Sequence, residues 1–261
     1  LLSVMIAGSL FFIDSLREKE KATAIALKNL KTQQGITKKI SEEASASYAD
    51  KAREAYMSFD NDKARDVLQA ALSLDPQNQD ALEYLAKTLC VQQDFSEAHQ
   101  KLLALNHSNE KDLQEFCLVL SQSEHKKPLS VQQLYPIIKK LLRDGRYVLK
   151  SQLFAWAIMR SDNFEKIESD IVWLLSTENN QEVHCELVGD VGGFQLDLSG
   201  NDSLNDIRSI GQMAIKLLDL RGCRVTNQGF PGSFPKTKKL LVDKEQSINK
   251  AYFKQVDIIR Y

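Results

Sequence analysis

The chain has 261 residues, 43% hydrophobic and 26% charged, enough for two small domains or one elongated repeat array. A formal net charge of −1 gives no general attraction to polyanions, so no nucleic-acid partner is expected, and 11 glycines with 5 prolines exclude collagenous or low-complexity folds. Cys90, Cys117, Cys185 and Cys223 lack C-x-x-C or zinc-finger spacing and read as buried, reduced thiols, a disulfide between the last two being left open.

Residues 1–13 (LLSVMIAGSLFFI) carry no charge. The run is shorter than the roughly 20 apolar residues of a spanning helix. It starts at full hydrophobicity and passes directly into the charged helix former DSLREKEK at 14–21, without the small-residue cleavage site of a signal peptide. The expected element is the second part of a transmembrane helix whose first part lies upstream, with an amphipathic or buried helix as the alternative. Residues 14–45, rich in Lys, Glu and Ala, predict a helical stalk interrupted at Gly35 and restarted at 41–43. Its charges read as a solvated face.

From residue 46 to 177 a helical domain is expected. Two helix pairs superimpose at a shift of 34 residues, with Tyr48 on Leu82, Ala52 on Ala86, Ala64 on Ala98, Leu68 on Leu102 and Ala71 on Leu105. The alanines belong where paired helices cross, because small side chains let backbones approach. Residues 59–62 and 92–95 are the matching turns, and Pro76 separates the two units. This pattern resembles the tetratricopeptide repeat, departing from it at Glu110, where a second proline would stand. Less regular apolar stripes follow at 113–120 and 134–142, then a helix pair at 151–160 and 164–175, which complete and cap the array. Trp156 and Trp173 are assigned to its core.

Beyond 176–180 the apolar period changes from helical to alternating. Val183, Cys185 and Leu187, then Phe194, Leu196 and Leu198, predict a β-hairpin turning at 189–193. LDLSGN at 196–201 recurs 22 residues later as LDLRGC at 218–223, and again, degenerate, as LLVDKE at 240–245. This resembles the leucine-rich repeat, with Asn201 and Cys223 where Asn or Cys bonds the backbone of the bend. Residues 230–235 are a poor helical return, and 252–261 supply a last strand. The fold class is therefore mainly α, a tetratricopeptide-like array followed at 178–261 by a small α+β leucine-rich-repeat-like segment, whose hairpin covers its first edge.

No P-loop, G-x-S-x-G or H-E-x-x-H occurs. His99, His107, His125 and His184 fall in different elements, and no nucleophile stands near a base. No catalytic residue, metal ligand or cofactor is assigned. Candidate partner-binding side chains are Asp197, Ser199, Asp219 and Arg221, which alternate with buried leucines and should point outward. The concave face of the helical array is the other candidate.

The order of parts (apolar helix, charged stalk, helix pairs, then LDLSGN-type repeats behind a hairpin) resembles the region after the membrane in bacterial transmembrane serine/threonine protein kinases. The resemblance implies an upstream kinase domain and repeats outside the cytoplasmic membrane. Arg17, Lys19 and Lys21 imply the opposite side by the positive-inside rule. The expected function is a non-catalytic, single-pass, membrane-tethered interaction or sensor module for a protein or peptide partner, with a homodimer as one regulatory form. The alternative is a free-standing scaffold or adaptor that binds peptide segments.

Overall fold

A computed structural model describes residues 2–105, 108–123, 128–161, 163–190, 193–226, 228–229, 233–253 and 256–261, with side chains omitted for 2–17, 108 and 190. Helix α1 is one rod, Leu2–Met57. It crosses the expected boundaries at 13/14 and 45/46, and Gly35 does not break it. A mid-helix glycine costs only about 1 kcal/mol against alanine, and good helix formers (Lys31, Gln33, Gln34, Lys38 and Lys39) stand on both sides of this one. Among the described residues no helix is long and apolar enough to cross a membrane. The side chains of the apolar run at 1–13 lie outside them.

The last turns of α1 form the first helix of the array. It packs on α2 (Asn61–Leu74), followed by α3 (Gln79–Val91), α4 (Phe95–Leu103), α5 (Lys111–Gln122), α6 (Val131–Leu141), α7 (Tyr147–Met159) and α8 (Phe164–Asn179). The 34-residue period is visible in the backbone as well as in the core. Phe59 and Gln93, 34 residues apart, both take left-handed conformations, at φ 59° and 63°. Asp60 and Asp94 then occupy the N-cap positions of α2 and α4. Ala52, Ala64, Ala86 and Ala98 are fully buried, as the close helix crossing requires. Tyr48 departs from the expected packing and is 40% exposed, whereas its counterpart Leu82 is buried. The preceding helix pair covers Leu82, and no described element covers Tyr48 in that way.

Two polar devices tie the array together. Ser45 donates to Ala71 O at 2.9 Å and accepts from Asn78 Nδ2 at 2.8 Å, joining α1, the end of α2 and the cap of α3. The buried Gln93 amide clamps the backbone of Leu129, accepting from its N–H at 2.6 Å and donating to its carbonyl at 3.1 Å. Helix α7 returns to pack on α3, and Gln152 Nε2 donates to Tyr56 O at 2.6 Å. The array thus closes on its own first helix. Trp156 and Trp173 lie half-buried against the core, Trp173 meeting Tyr135 edge-on.

The remaining residues form one five-stranded sheet in the order β1 (Glu186–Asp190), β2 (Gly193–Asp197), β3 (Ile215–Asp219), β4 (Lys239–Val242), β5 (Asp257–Arg260). β1 and β2 form an antiparallel hairpin shifted along the chain from the expected one: Val183 and Cys185 precede β1, Gly189, Asp190 and Gly193 pair within the strands, and residues 191–192 lie outside the described residues. Gly193 is required in the hairpin, because a Cβ would stand 2.8 Å from Ala214 O. β2, β3, β4 and β5 pair in parallel. Leu196 aligns with Leu218, and Leu218 with Leu240, so the 22-residue period becomes lateral strand register. Gly200 and Gly222 keep the same period at φ 78° and 77°, and a Cβ on Gly222 would press on the backbone of Gly200 at 3.2 Å. The return to β3 passes through a short 3-10 turn at Arg208–Ile210. Of the poor return at 230–235, residues 230–232 lie outside the described residues. The described cysteines are free thiols, so Cys185 and Cys223 are not bridged.

Candidate functional site

At the bends of the parallel strands, Asn201 Nδ2 donates to Leu198 O at 2.7 Å and to His184 O at 2.8 Å, and its Oδ1 accepts from His184 N at 2.9 Å. Cys223 Sγ reaches across to the same Leu198 carbonyl at 3.0 Å. The two residues singled out for bonding the bends therefore do so, Cys223 serving the neighbouring turn of chain. Burial lifts the Cys223 thiol to about 12, so it is a protonated donor at neutral pH.

The four candidate partner-binding side chains lie at the C-terminal ends of β2 and β3, Asp197 and Asp219 as the last strand residues and Ser199 and Arg221 in the turns that follow, but in different states. Ser199 is exposed, and Asp197 is half-buried with its Oδ1 accepting from Ser199 N at 2.8 Å. Asp219 corrects the expectation of an outward, solvated carboxylate, being only 3% exposed. Its Oδ1 accepts from Arg221 N at 3.1 Å and from Arg221 Nε at 3.0 Å, and its Oδ2 accepts from Arg221 Nη2 at 2.6 Å. The guanidinium also lies 4.8 Å over the Tyr261 ring. Strand alternation does aim Asp219 outward, but Arg221 folds over it. Asp206 and Arg208 repeat the arrangement, with Arg208 4.5 Å over Tyr147. These D-x-R clips satisfy their own charges; Ser199 is exposed, and Asp197 and Arg221 are half-buried. The open face of the sheet presents exposed Val188 and half-buried Leu217, Leu241 and Ile259.

The second candidate, the inner face of the helical array, is partly filled by α7. What remains is a groove of about 580 Å³ between the end of α1, α3 and the loop before α7. Tyr56 and Tyr84 form one wall, edge to face at 5.7 Å. Burial raises both phenols above the ordinary tyrosine value, Tyr56 strongly, so both are neutral hydroxyls at physiological pH. Lys87 stands 5.2 Å over the Tyr84 ring and pairs with Glu83. The floor is a buried ion cluster. Arg146 bonds Asp112 through Nε at 2.6 Å and approaches Glu110 at 2.9 Å. For Asp112, burial acts upward, but the Arg146 bond and charge prevail and hold the carboxyl below its usual range. At the mouth, Arg143 is exposed, donating to Asn109 O at 3.0 Å and lying 3.8 Å from Asp112.

Glu110 thus has a use that the missing proline did not suggest, and Arg146 carried no sequence signal because its partners lie more than thirty residues away. In a wider hollow of about 840 Å³ beside the sheet, Gln228 bonds the backbone of Ser247 and Asn249, while the side-chain amide of Gln246 has no described partner. His99 Nδ1 meets Gln114 O at 3.2 Å, while His107 and His125 lie outside the described residues.

A tetratricopeptide-repeat family profile matches residues 55–116, from the end of α1 into α5. No curated protein matches the chain, and no solved structure does so. The tetratricopeptide-like region is mainly helical and of a kind that serves as a protein-interaction module; the small sheet follows it.

Proposed function

We propose that the chain is a non-catalytic interaction module that takes a peptide segment of a partner protein into the groove between α1, α3 and the α6–α7 loop. The observation that carries this reading is the open cavity inside a tetratricopeptide-like region, with an aromatic wall and a cation at its mouth. Tyr84 offers area for an apolar anchor and a neutral hydroxyl, and Arg143 offers a fork for a carboxylate side chain. A peptide array probed with the full chain tests it. Hits should be lost in the double variant Y84A/R143E and kept when Asp197 and Ser199 are both replaced by alanine. The reverse pattern would move the binding face to the sheet, which its half-buried apolar rows make the second reading.

The order of parts supports a finer reading. The module is tethered to a membrane through residues 1–13 and works with a serine/threonine kinase domain, its repeats lying outside the cytoplasmic membrane. Protease accessibility on intact cells tests the side, and a reading frame without kinase signatures would remove the kinase link.

A further inference from the structure

A second, more enclosed cavity of about 100 Å³ lies where α6, α7 and α8 meet the 3-10 turn at 208–210. A water needs roughly 10–15 Å³ of such space, so there is room for a small molecule of several heavy atoms. Tyr135, Tyr147 and Phe154 give it an aromatic wall. Two half-buried charged groups face it, with no ion pair between them. Lys150 is mostly enclosed, and its one described ionic partner is the fully exposed Asp144 at 3.7 Å. Glu178 faces the hydroxyl of the buried Ser209, and no described cation comes within ion-pair distance of it.

The charges around the cavity cancel as a set. Arg208 is held bidentately by Asp206, and the exposed Lys139 lies 5.8 Å over the Tyr135 ring, adding one positive charge at the rim against the negative charge of Glu178. Three cations face three carboxylates, so the site does not favour a ligand of large net charge such as a phosphate. An ammonium paired among the described residues only with the exposed Asp144, and a carboxylate with no described cation at ion-pair distance, instead match a ligand carrying the opposite pair.

We propose that this cavity binds a small zwitterion of the amino-acid class, its carboxylate on Lys150 and its ammonium on Glu178. Burial supports the pairing from both ends. It lowers the Lys150 amine, with Asp144 opposing, and raises the Glu178 carboxyl, with Ser209 opposing; each ion would be stabilised by an arriving counter-charge.

The test is calorimetric titration and thermal denaturation of the full chain with each of the twenty proteinogenic amino acids. The best binder is then compared with its deaminated and its decarboxylated analogue. At least one amino acid should bind and raise the melting temperature, and both analogues should bind at least tenfold more weakly. K150M should weaken the amino acid at least tenfold. E178Q, which keeps the shape should K150M fail to fold, should do the same and remove the preference over the deaminated analogue. No binding by any amino acid, equal binding by an analogue, or undiminished binding by E178Q would overturn the proposal.

Discussion

Replacing Gln93 by glycine sets two properties of one residue against each other. At φ 63° its backbone is left-handed, which costs an L-residue about 1–2 kcal/mol and glycine almost nothing. The side chain, however, is 4% exposed and holds both the N–H and the carbonyl of Leu129. Leaving two buried backbone groups without partners costs about 1–3 kcal/mol each. Glycine's greater freedom in the unfolded chain removes about 0.5–1 kcal/mol more. The sum predicts that Gln93→Gly destabilises the chain by about 3 kcal/mol. Phe59 has the same backbone one repeat earlier, at φ 59°, but its ring is only half-buried and clamps nothing. There, relief of strain offsets lost packing, and Phe59→Gly should stay within about 1 kcal/mol of the parent chain. Urea unfolding followed by far-UV circular dichroism measures both differences. Equal shifts for the two variants, or a Gln93→Gly chain as stable as the parent, would show that the amide clamp contributes little.

Further outcomes follow from the buried polar groups. Arg146→Met should lower stability by about 3–5 kcal/mol, because it leaves the buried Glu110 unpaired and Asp112 with Arg143 alone; urea midpoints will show it. The lowered carboxyl of Asp112 contributes stability fully above its unfolded pKa, near 4, and loses it as pH falls through its folded value. The parent chain should therefore lose stability below about pH 4 more steeply than an Asp112→Asn chain, as melting temperatures across pH 2–6 will record. Asn201→Ala removes one bond to the buried Leu198 carbonyl and two to the backbone of the exposed His184, and should cost about 2–3 kcal/mol, melting the sheet's near-ultraviolet signature first. The thiols should resist alkylation at pH 8 in the folded chain, since three are buried and burial pushes half-buried Cys185 up to about 12. All four should react in denaturant; rapid labelling of the native chain would contradict this packing.

Much of the fold is legible because repetition writes the same physical requirement twice. The alanine pairs at 52/86 and 64/98 and the leucines at 196/218/240 mark crossings and strand register directly. Local rules were weaker where long-range contacts decide. Gly35 reads as a break, yet the helix tolerates it. Asp219 reads as solvent-facing, yet a side chain two residues away covers it. Arg146 and Gln93 sit in ordinary-looking turns, and their importance lies in partners more than thirty residues distant, which no spacing reveals. The turns at 59–62 and 92–95 are legible as a matching pair, but the left-handed residue before each N-cap aspartate shows only in the backbone.

The continuity of α1 has a geometric consequence. Stalk and first array helix share a single screw, in which each residue adds about 1.5 Å and about 100° of turn. Over the exposed stretch from residue 18 to 40 the rod therefore spans roughly 33 Å. The direction in which the groove faces, relative to whatever holds the far end of the rod, is set by counting residues. One residue inserted near Gly35 would swing the groove by about 100°, whereas seven would return it to within about 20° of its original bearing. The stalk fixes azimuth as well as distance.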